Sequence, residues 1–336
     1  MASIREWLDG LLGNSQDSNI VSERPSSSPD RGLAQRSEVG SETIESLHLD
    51  TMGGKVDQND VEGSLNPSAS RYSQVFQSGW LTDAGNVRGQ NEDALLVFIG
   101  QHDANDNGQR VPPFGLFMVA DGMGGHQKGE IASSLALRVS ASHLISSIYL
   151  PLLSGSERGA NQPSLTDVMR EAVIQANRAV ARDLPGSGST LTCGLVLGSR
   201  LFVGHVGDSR AYLLREGESP QRLTRDHSFV NRLIEMGQLS KKEALVHPQR
   251  NVLYRAIGQT DGLEVDVKTN ALQDGDRLFF CSDGLWNMMD EAAIWRILTE
   301  VTRPQDACSR LVEAANAAGG DDNVTVVYTQ VNLPAL

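Results

Sequence analysis

Apolar runs of period two recur along the second part of the chain. FGLFMVA (114–120), TCGLVLG (192–198), LFVGHV (201–206), RLFFCS (277–282) and VTVVYTQV (324–331) are apolar or alternating, rich in β-branched and aromatic residues, and bounded by Gly, Asp and Ser. That pattern predicts strands. Ser199 and Arg200 after Gly198 fit a tight hairpin between the second and third. Three stretches instead carry a 3.6-residue period. One starts near Gly129 and runs through Ile131, Leu135 and Val139. The next is capped by Ser164 with Asp167 three residues on, and puts Leu165, Val168, Met169, Ala172, Val173, Ala176 and Val180 on one face. The last opens at Pro304, buries Ala307, Cys308, Leu311, Ala314 and Ala315, and stops at Gly319-Gly320. Helices inserted between groups of hairpin strands predict sheets covered by helices rather than a strict βαβ alternation.

Residues 1–70 break with this pattern. They hold twelve acids, five bases, thirteen serines and a single aromatic residue, Trp7. Such a stretch buries too little apolar surface to offset the entropy of ordering it, so it is expected to be a disordered acidic extension. Within it, Ile4, Trp7, Leu8, Leu11 and Leu12 share one helical face and predict a short amphipathic helix at about 3–13. Globular patterning starts near residue 73 and continues to 333.

Composition narrows the function classes. With 29 Lys+Arg against 42 Asp+Glu in 336 residues, the net charge of −13 argues against a nucleic-acid binder, which needs clustered cations. No uninterrupted apolar run reaches membrane-spanning length, and the first residues lack the positive and apolar regions of a signal peptide. Cys193, Cys281 and Cys308 have no CxxC spacing and build no disulfide framework. A cytoplasmic monomer is the expectation.

The chemistry lies in the aspartates at strand ends. Asp121 follows FGLFMVA and precedes Gly122-Met123-Gly124-Gly125-His126; Asp283 follows RLFFCS and precedes Gly284; Asp322 leads into VTVVYTQV. Asp93 closes Asp83-x-Gly85-x-x-Arg88-x-x-Asn91-Glu92-Asp93. Carboxylates held by rigid strand ends form a hard-oxygen site for Mg²⁺ or Mn²⁺ if they converge. Each Asp-Gly alone is an ordinary turn dipeptide, as is Gly207-Asp208-Ser209-Arg210. The GMGG run lacks the spacing of a nucleotide loop, and the histidines lack zinc spacing.

Taken in order, TDxGxxRxxNED, VADGMGG, GDSR, SDGLW and GGDDNVT resemble the metal-dependent protein phosphatases of the protein phosphatase 2C (PPM) family. DGMGGH, and LTRDHSFVNRLIEMGQLS followed by NVLYRAIG, resemble its bacterial-type members. The resemblance spans about 73–333. It implies a four-layer α-β-β-α sandwich, two antiparallel sheets flanked by helices, with a binuclear metal site at one end. It further implies that Asp121 bridges two Mn²⁺ or Mg²⁺ ions, that the Gly122 carbonyl ligates one, and that Asp283 and Asp322 hold the other. Asp93, with Glu92, would hold metal-bound waters, and Arg88 would grip the substrate phosphate.

The implied reaction is attack on phosphoserine or phosphothreonine in proteins by a hydroxide bridging the two ions, countering a Ser/Thr kinase. Two departures stand out. Met123 occupies the place where some members carry a proton-donating histidine, which leaves His126 as a weak substitute. Asp208 matches a ligand of a third, weaker ion, but Asn287 replaces an aspartate there, so that ion is expected to bind weakly or be held differently. Residues 226–258 fall where relatives carry a mobile flap; their alternative reading is a helical hairpin with a solvated face. Its Lys241, Lys242, Arg250 and Arg255 would steer phosphorylated proteins. A non-catalytic phosphoprotein-binding module and a two-metal phosphodiesterase are the competing readings. The intact Asp121, Asp283 and Asp322 weigh against the former.

Overall fold

The computed structural model describes residues 75–101, 111–124, 128–155, 162–260 and 262–333. All lie in the second of the two units into which the chain divides, Asn66–Leu336. The expectations for residues 1–70, including the helix at 3–13, fall outside the described residues, as does His126.

Every strand pairing is antiparallel. One sheet contains β1 (Phe76–Asp83), β11 (Val324–Val331), β10 (Arg277–Cys281), β7 (Arg210–Leu214) and β8 (Gln221–Arg222), in that order. The other runs β2 (Asp93–Gly100), β3 (Phe114–Gly124), β5 (Leu191–Leu197), β6 (Arg200–Val206), β9 (Asp266–Ala271), with β4 (Ser187–Ser189) added to the far end of β3. Helix α1 (Gly129–Leu144) continues through a π-helical turn, Ile145–Tyr149, into α2 (Leu150–Leu153). With α3 (Leu165–Asp183) it covers the second sheet. Short helices α4 (Phe229–Glu235) and α5 (Lys241–Leu245) follow, then α6 (Asp283–Trp286). Helices α7 (Glu291–Glu300) and α8 (Pro304–Ala317) cover the first sheet.

Period-two alternation produces this layering. On β10, Phe279 and Cys281 face the α7/α8 layer, whereas Leu278 and Phe280 enter the space between the sheets. On β3, Leu116, Met118 and Ala120 face α1 and α3, whereas Phe117 and Val119 face the opposite sheet. Three apolar layers thus separate four layers of structure, the α-β-β-α sandwich expected. Phe117 and Phe280 stack across the central layer at 6.4 Å between centroids. Gly194 is required there, because a Cβ would collide with the Phe280 ring. Phe280→Ala is expected to cost about 3–5 kcal/mol in a urea unfolding experiment, through lost burial and a cavity.

Several elements differ from the expectation. Residues 76–83, 93–100, 187–189, 210–214, 221–222 and 266–271 are strands as well. The β5–β6 hairpin turns on Gly198 (φ +59°) and Ser199, with Arg200 already in β6. On α1, Leu135 and Val139 pack half-buried against the core as expected, but the fully buried face is displaced from them. Ile131 is 44% exposed, and Ala132, Ser133, Ala136, Leu137 and Ser140 face inward. Small residues let α1 lie close on β3 and α3, and Ser133 Oγ spends its polarity on the Glu92 carbonyl at 2.6 Å. By length and composition Gly129–Leu153 would suffice to cross a membrane; here its inner face is taken by the core. Ser164 caps α3 by accepting from the Asp167 N–H, and Gly319 and Gly320 (φ +144° and +62°) end α8, both as expected. Cys193, Cys281 and Cys308 are buried and free, and burial pushes the Cys281 and Cys308 thiols up to about 12.

Candidate active site

Five of the aspartates singled out in the sequence meet at one end of the sandwich. Asp93 and Asp121 are direct cross-strand partners on β2 and β3. Asp121 does not follow its strand but lies within it, because residues 122–124 pair on with β4. Asp283 opens α6 immediately after β10, Asp322 precedes β11, and Asp208 sits in the buried turn between β6 and β7. A cleft of about 230 Å³ is lined by Asp121, Asp208, Asp283 and Asp322 together with Arg88, Glu92, Gly122, Met123, Thr190, Asn251 and Leu253. Asp93, beside Asp121 but not in the cleft lining, is 8% exposed, and its Oδ2 accepts from Ser282 Oγ at 2.7 Å.

Glycine at 122 has a steric reason. A Cβ there would strike the Gly129 carbonyl at the start of α1 and the Glu92 carbonyl, which accepts from the Gly122 N–H at 3.1 Å. Asn323, which sequence reasoning passed over, fastens the Arg88 loop. Its Nδ2 donates to the carbonyls of Ala84 and Gln90, and its Oδ1 accepts from the Glu92 N–H. Arg88 then reaches Asp322, Nη2 to Oδ2 at 2.8 Å, with its side chain half exposed at the cleft.

The electrostatics are those of crowded anions. Burial pushes the Asp93 carboxyl up to about 7, with Asp283 and Asp322 adding repulsion. Burial and the neighbouring Asp322 raise Asp283 to about 6. Asp121 is held well above the usual carboxylate range by burial and by Asp93, Asp283, Asp208 and Asp322, and Asp208 by burial and Asp283. Asp93 Oδ1 is a buried acceptor with no partner. Among the described residues no three acidic, His or Cys side chains form a finished metal cage. Asp322 is tied to Arg88, and Asn287 Nδ2 donates to Asp283 Oδ2 at 3.1 Å. The donor set is still all oxygen, buried and short of cations, and it fits hard divalent ions. Asn287 stands beside Asp283 as a hydrogen-bond donor.

Residues 226–258 contain two short capped helices, α4 after Ser228 and α5 after Ser240. Two further features escaped the sequence. Arg210, at the end of GDSR, makes a buried two-point ion pair with Asp226 (3.1 and 2.8 Å) and stacks over Trp286 of α6 at 3.7 Å. Arg255, expected to steer substrates, is ion-paired with Glu264 and Asp266. Beneath them, His205 is 2% exposed, its Nδ1 2.9 Å from Thr192 Oγ1 and its Nε2 donating to the Arg225 carbonyl. Burial, then the facing His227, pushes its pKa down to about 4. The unfolded chain, with an ordinary imidazole near ~6.5, takes the proton first. This contribution is therefore present above pH ~6.5 and is lost as pH falls toward 4, by up to about 3 kcal/mol. Urea unfolding at pH 7 and pH 4.5 should show a smaller acid loss for His205→Gln than for the parent.

The chain is thus an antiparallel double sheet between two helical layers, with buried carboxylates and one arginine gathered in a cleft at one end. The sequence profile of the protein phosphatase 2C family matches residues 81–324, and the chain belongs to that family as a protein phosphatase of bacterial type. It is 36% identical over 252 residues to a serine/threonine phosphatase of Listeria innocua, covering 75% of this chain and 94% of that one. Protein phosphatase PhpP of Streptococcus pneumoniae is 35% identical over 75% of this chain and 96% of its own. The catalytic domain of the serine/threonine protein phosphatase PstP, solved in complex with two manganese ions, superposes with a TM-score of 0.61 at 33% identity, covering 77% of this chain and 99% of that one.

Proposed function

We propose that this phosphatase hydrolyses phosphoserine and phosphothreonine in proteins with the help of two divalent ions, Mn²⁺ or Mg²⁺, and so opposes a Ser/Thr kinase. The observation that carries this reading is the convergence of Asp121, Asp283, Asp322 and Asp208 on one cleft with Arg88 at its mouth. Asp121, Asp283, Asp322 and the Gly122 carbonyl would hold the ions, and Asp93, with Glu92, would hold metal-bound waters. Bound there, the ions would supply an activated water near neutral pH and positive charge toward the phosphoryl oxygens.

The chain's own residues supply the rest. Arg88 engages Asp322 through Nη2, so donors of its fork remain for two phosphate oxygens. Met123 and Leu253 give the cleft apolar walls and no transferable proton. Lys241, Lys242 and Arg250 are exposed on the 226–258 segment, where they would attract acidic phosphoproteins.

The test is phosphate release from a phosphothreonine peptide. Release with Mn²⁺, abolished by EDTA and restored by added Mn²⁺, is expected. Activity that survives chelation sinks the two-metal reading. Release from a diester but not from the peptide would favour the phosphodiesterase reading.

A further inference from the structure

Thr190 touches both acidic motifs of the cleft. Its backbone N–H donates to the Asp121 carbonyl at 2.8 Å, and its Oγ1 accepts from the Asp121 N–H at 2.9 Å. The same hydroxyl lies 2.7 Å from Ser209 Oγ, the residue after Asp208. Thr190 is 1% exposed and Ser209 0%, so neither hydroxyl has water as an alternative partner. The methyl group is also placed. Gly207, with φ +109°, presses its Cα face against it, and a Cβ at 207 would lie 2.6 Å from Thr190 Cβ and Cγ2. The hydroxyl thus joins the backbone of one aspartate to the turn that carries another, through bonds that leave both carboxyl groups free. Asp121 lies within β3 and Asp208 in the turn between β6 and β7, and the buried Asp208 carboxyl repels that of Asp121.

We propose that Thr190 is a positioning residue whose hydroxyl fixes the spacing of Asp121 and Asp208, and through it the affinity of the cleft for divalent ions. This rests on the metal-dependent reading above. Groups that orient metal ligands from behind typically contribute roughly 10–100-fold to affinity.

Threonine has two near-isosteres that separate the roles of its parts. Thr190→Val keeps the methyl group and loses the hydroxyl; Thr190→Ser does the reverse. Calorimetric titration of the full chain with Mn²⁺ should show affinity weakened about tenfold or more in Thr190→Val and close to the parent in Thr190→Ser. With phosphothreonine peptide at fixed Mn²⁺, kcat should fall in Thr190→Val while KM for the peptide holds. Parent-like Mn²⁺ affinity in Thr190→Val overturns the proposal, and so does a Thr190→Ser variant as weak as Thr190→Val, which would assign the effect to packing. Should Thr190→Val fail to fold, Ser209→Ala removes the same bond from its other end. A weakened Mn²⁺ affinity there supports the proposal, and a parent-like one overturns it. A parent chain that binds no Mn²⁺ is a different failure, because it removes the metal reading itself and this inference with it.

Discussion

Asp121→Asn is expected to lower kcat/KM for a phosphothreonine peptide by roughly 10³-fold or more, while the metal-free protein becomes more stable. The two effects have one cause. Asp121 shares its surroundings with Asp93, Asp283, Asp208 and Asp322, and burial adds to their repulsion. An amide of the same shape removes a buried ionisable group that resists its charged form and keeps the backbone bonds to Thr190. The apo fold therefore gains. On the proposed metal reading, the same change would delete one of the carboxylates that hold the divalent ions, and with it ligand strength against dehydration. Loss of a charged group that acts on the transition state commonly costs roughly 10²–10³ in kcat, and more when several groups act as a unit. Peptide hydrolysis with Mn²⁺ and thermal unfolding in EDTA measure the two arms. Activity retained within tenfold would remove Asp121 from the centre of the site. A drop in metal-free stability would mean that its charge is compensated in a way the fold does not show.

Much of the core and most of the acidic cleft were legible in the sequence, for definite reasons. β3, β5, β6, β10 and β11 are central strands buried on both faces, so they read as apolar or alternating runs. β1 and β9 are edge strands, FQSGWLTD and DVKTNA, whose side chains are largely half-buried or exposed. Their place in a sheet is fixed by partners far away in the chain, which local pattern does not carry. β4 reads Ser-Gly-Ser and is a strand because β3 runs on to meet it. That same extension put Asp121 inside a strand rather than after one. On α1 the local pattern points to Ile131, which is exposed, beside the half-buried Leu135 and Val139, because close packing on the sheet selects Ala and Ser for the innermost positions.

The cleft follows the same logic. Asp121, Asp283 and Asp322 announce themselves by their place beside apolar runs. Asn323, Ser282 and Thr190 do not, because their work is to bond backbone or carboxyl groups brought close only by folding. Arg210 resembles a turn residue until Asp226 and Trp286 arrive on either side of it. What the sequence signals is the charge that must be neutralised; what it conceals is the neutral scaffold holding that charge in place.

Arg88→Ala is expected to lower kcat/KM for the phosphopeptide by roughly 10²–10³-fold while Mn²⁺ binding is kept or tightened. The direction of the second effect comes from the ion pair. Arg88 Nη2 lies 2.8 Å from Asp322 Oδ2, so the guanidinium already competes for a carboxylate assigned to the metal site. Alanine releases Asp322 entirely to a bound ion. On the proposed reading, the loss of rate would come from the phosphate side, where the planar fork would contact two oxygens at once and its positive charge would be worth most as negative charge spreads over them. Because the Arg88 side chain is half exposed, the pair itself contributes little to stability, and the variant should unfold at nearly the parent temperature. Arg88→Lys separates charge from geometry. It restores a point charge without the fork and is expected to recover only part of the rate. Steady-state kinetics on the peptide, set beside a Mn²⁺ titration of each variant, give the decisive comparison. Unchanged kinetics in Arg88→Ala would take this residue out of the phosphate site. A parallel loss of Mn²⁺ affinity would make it a support for Asp322 instead of a contact to the substrate.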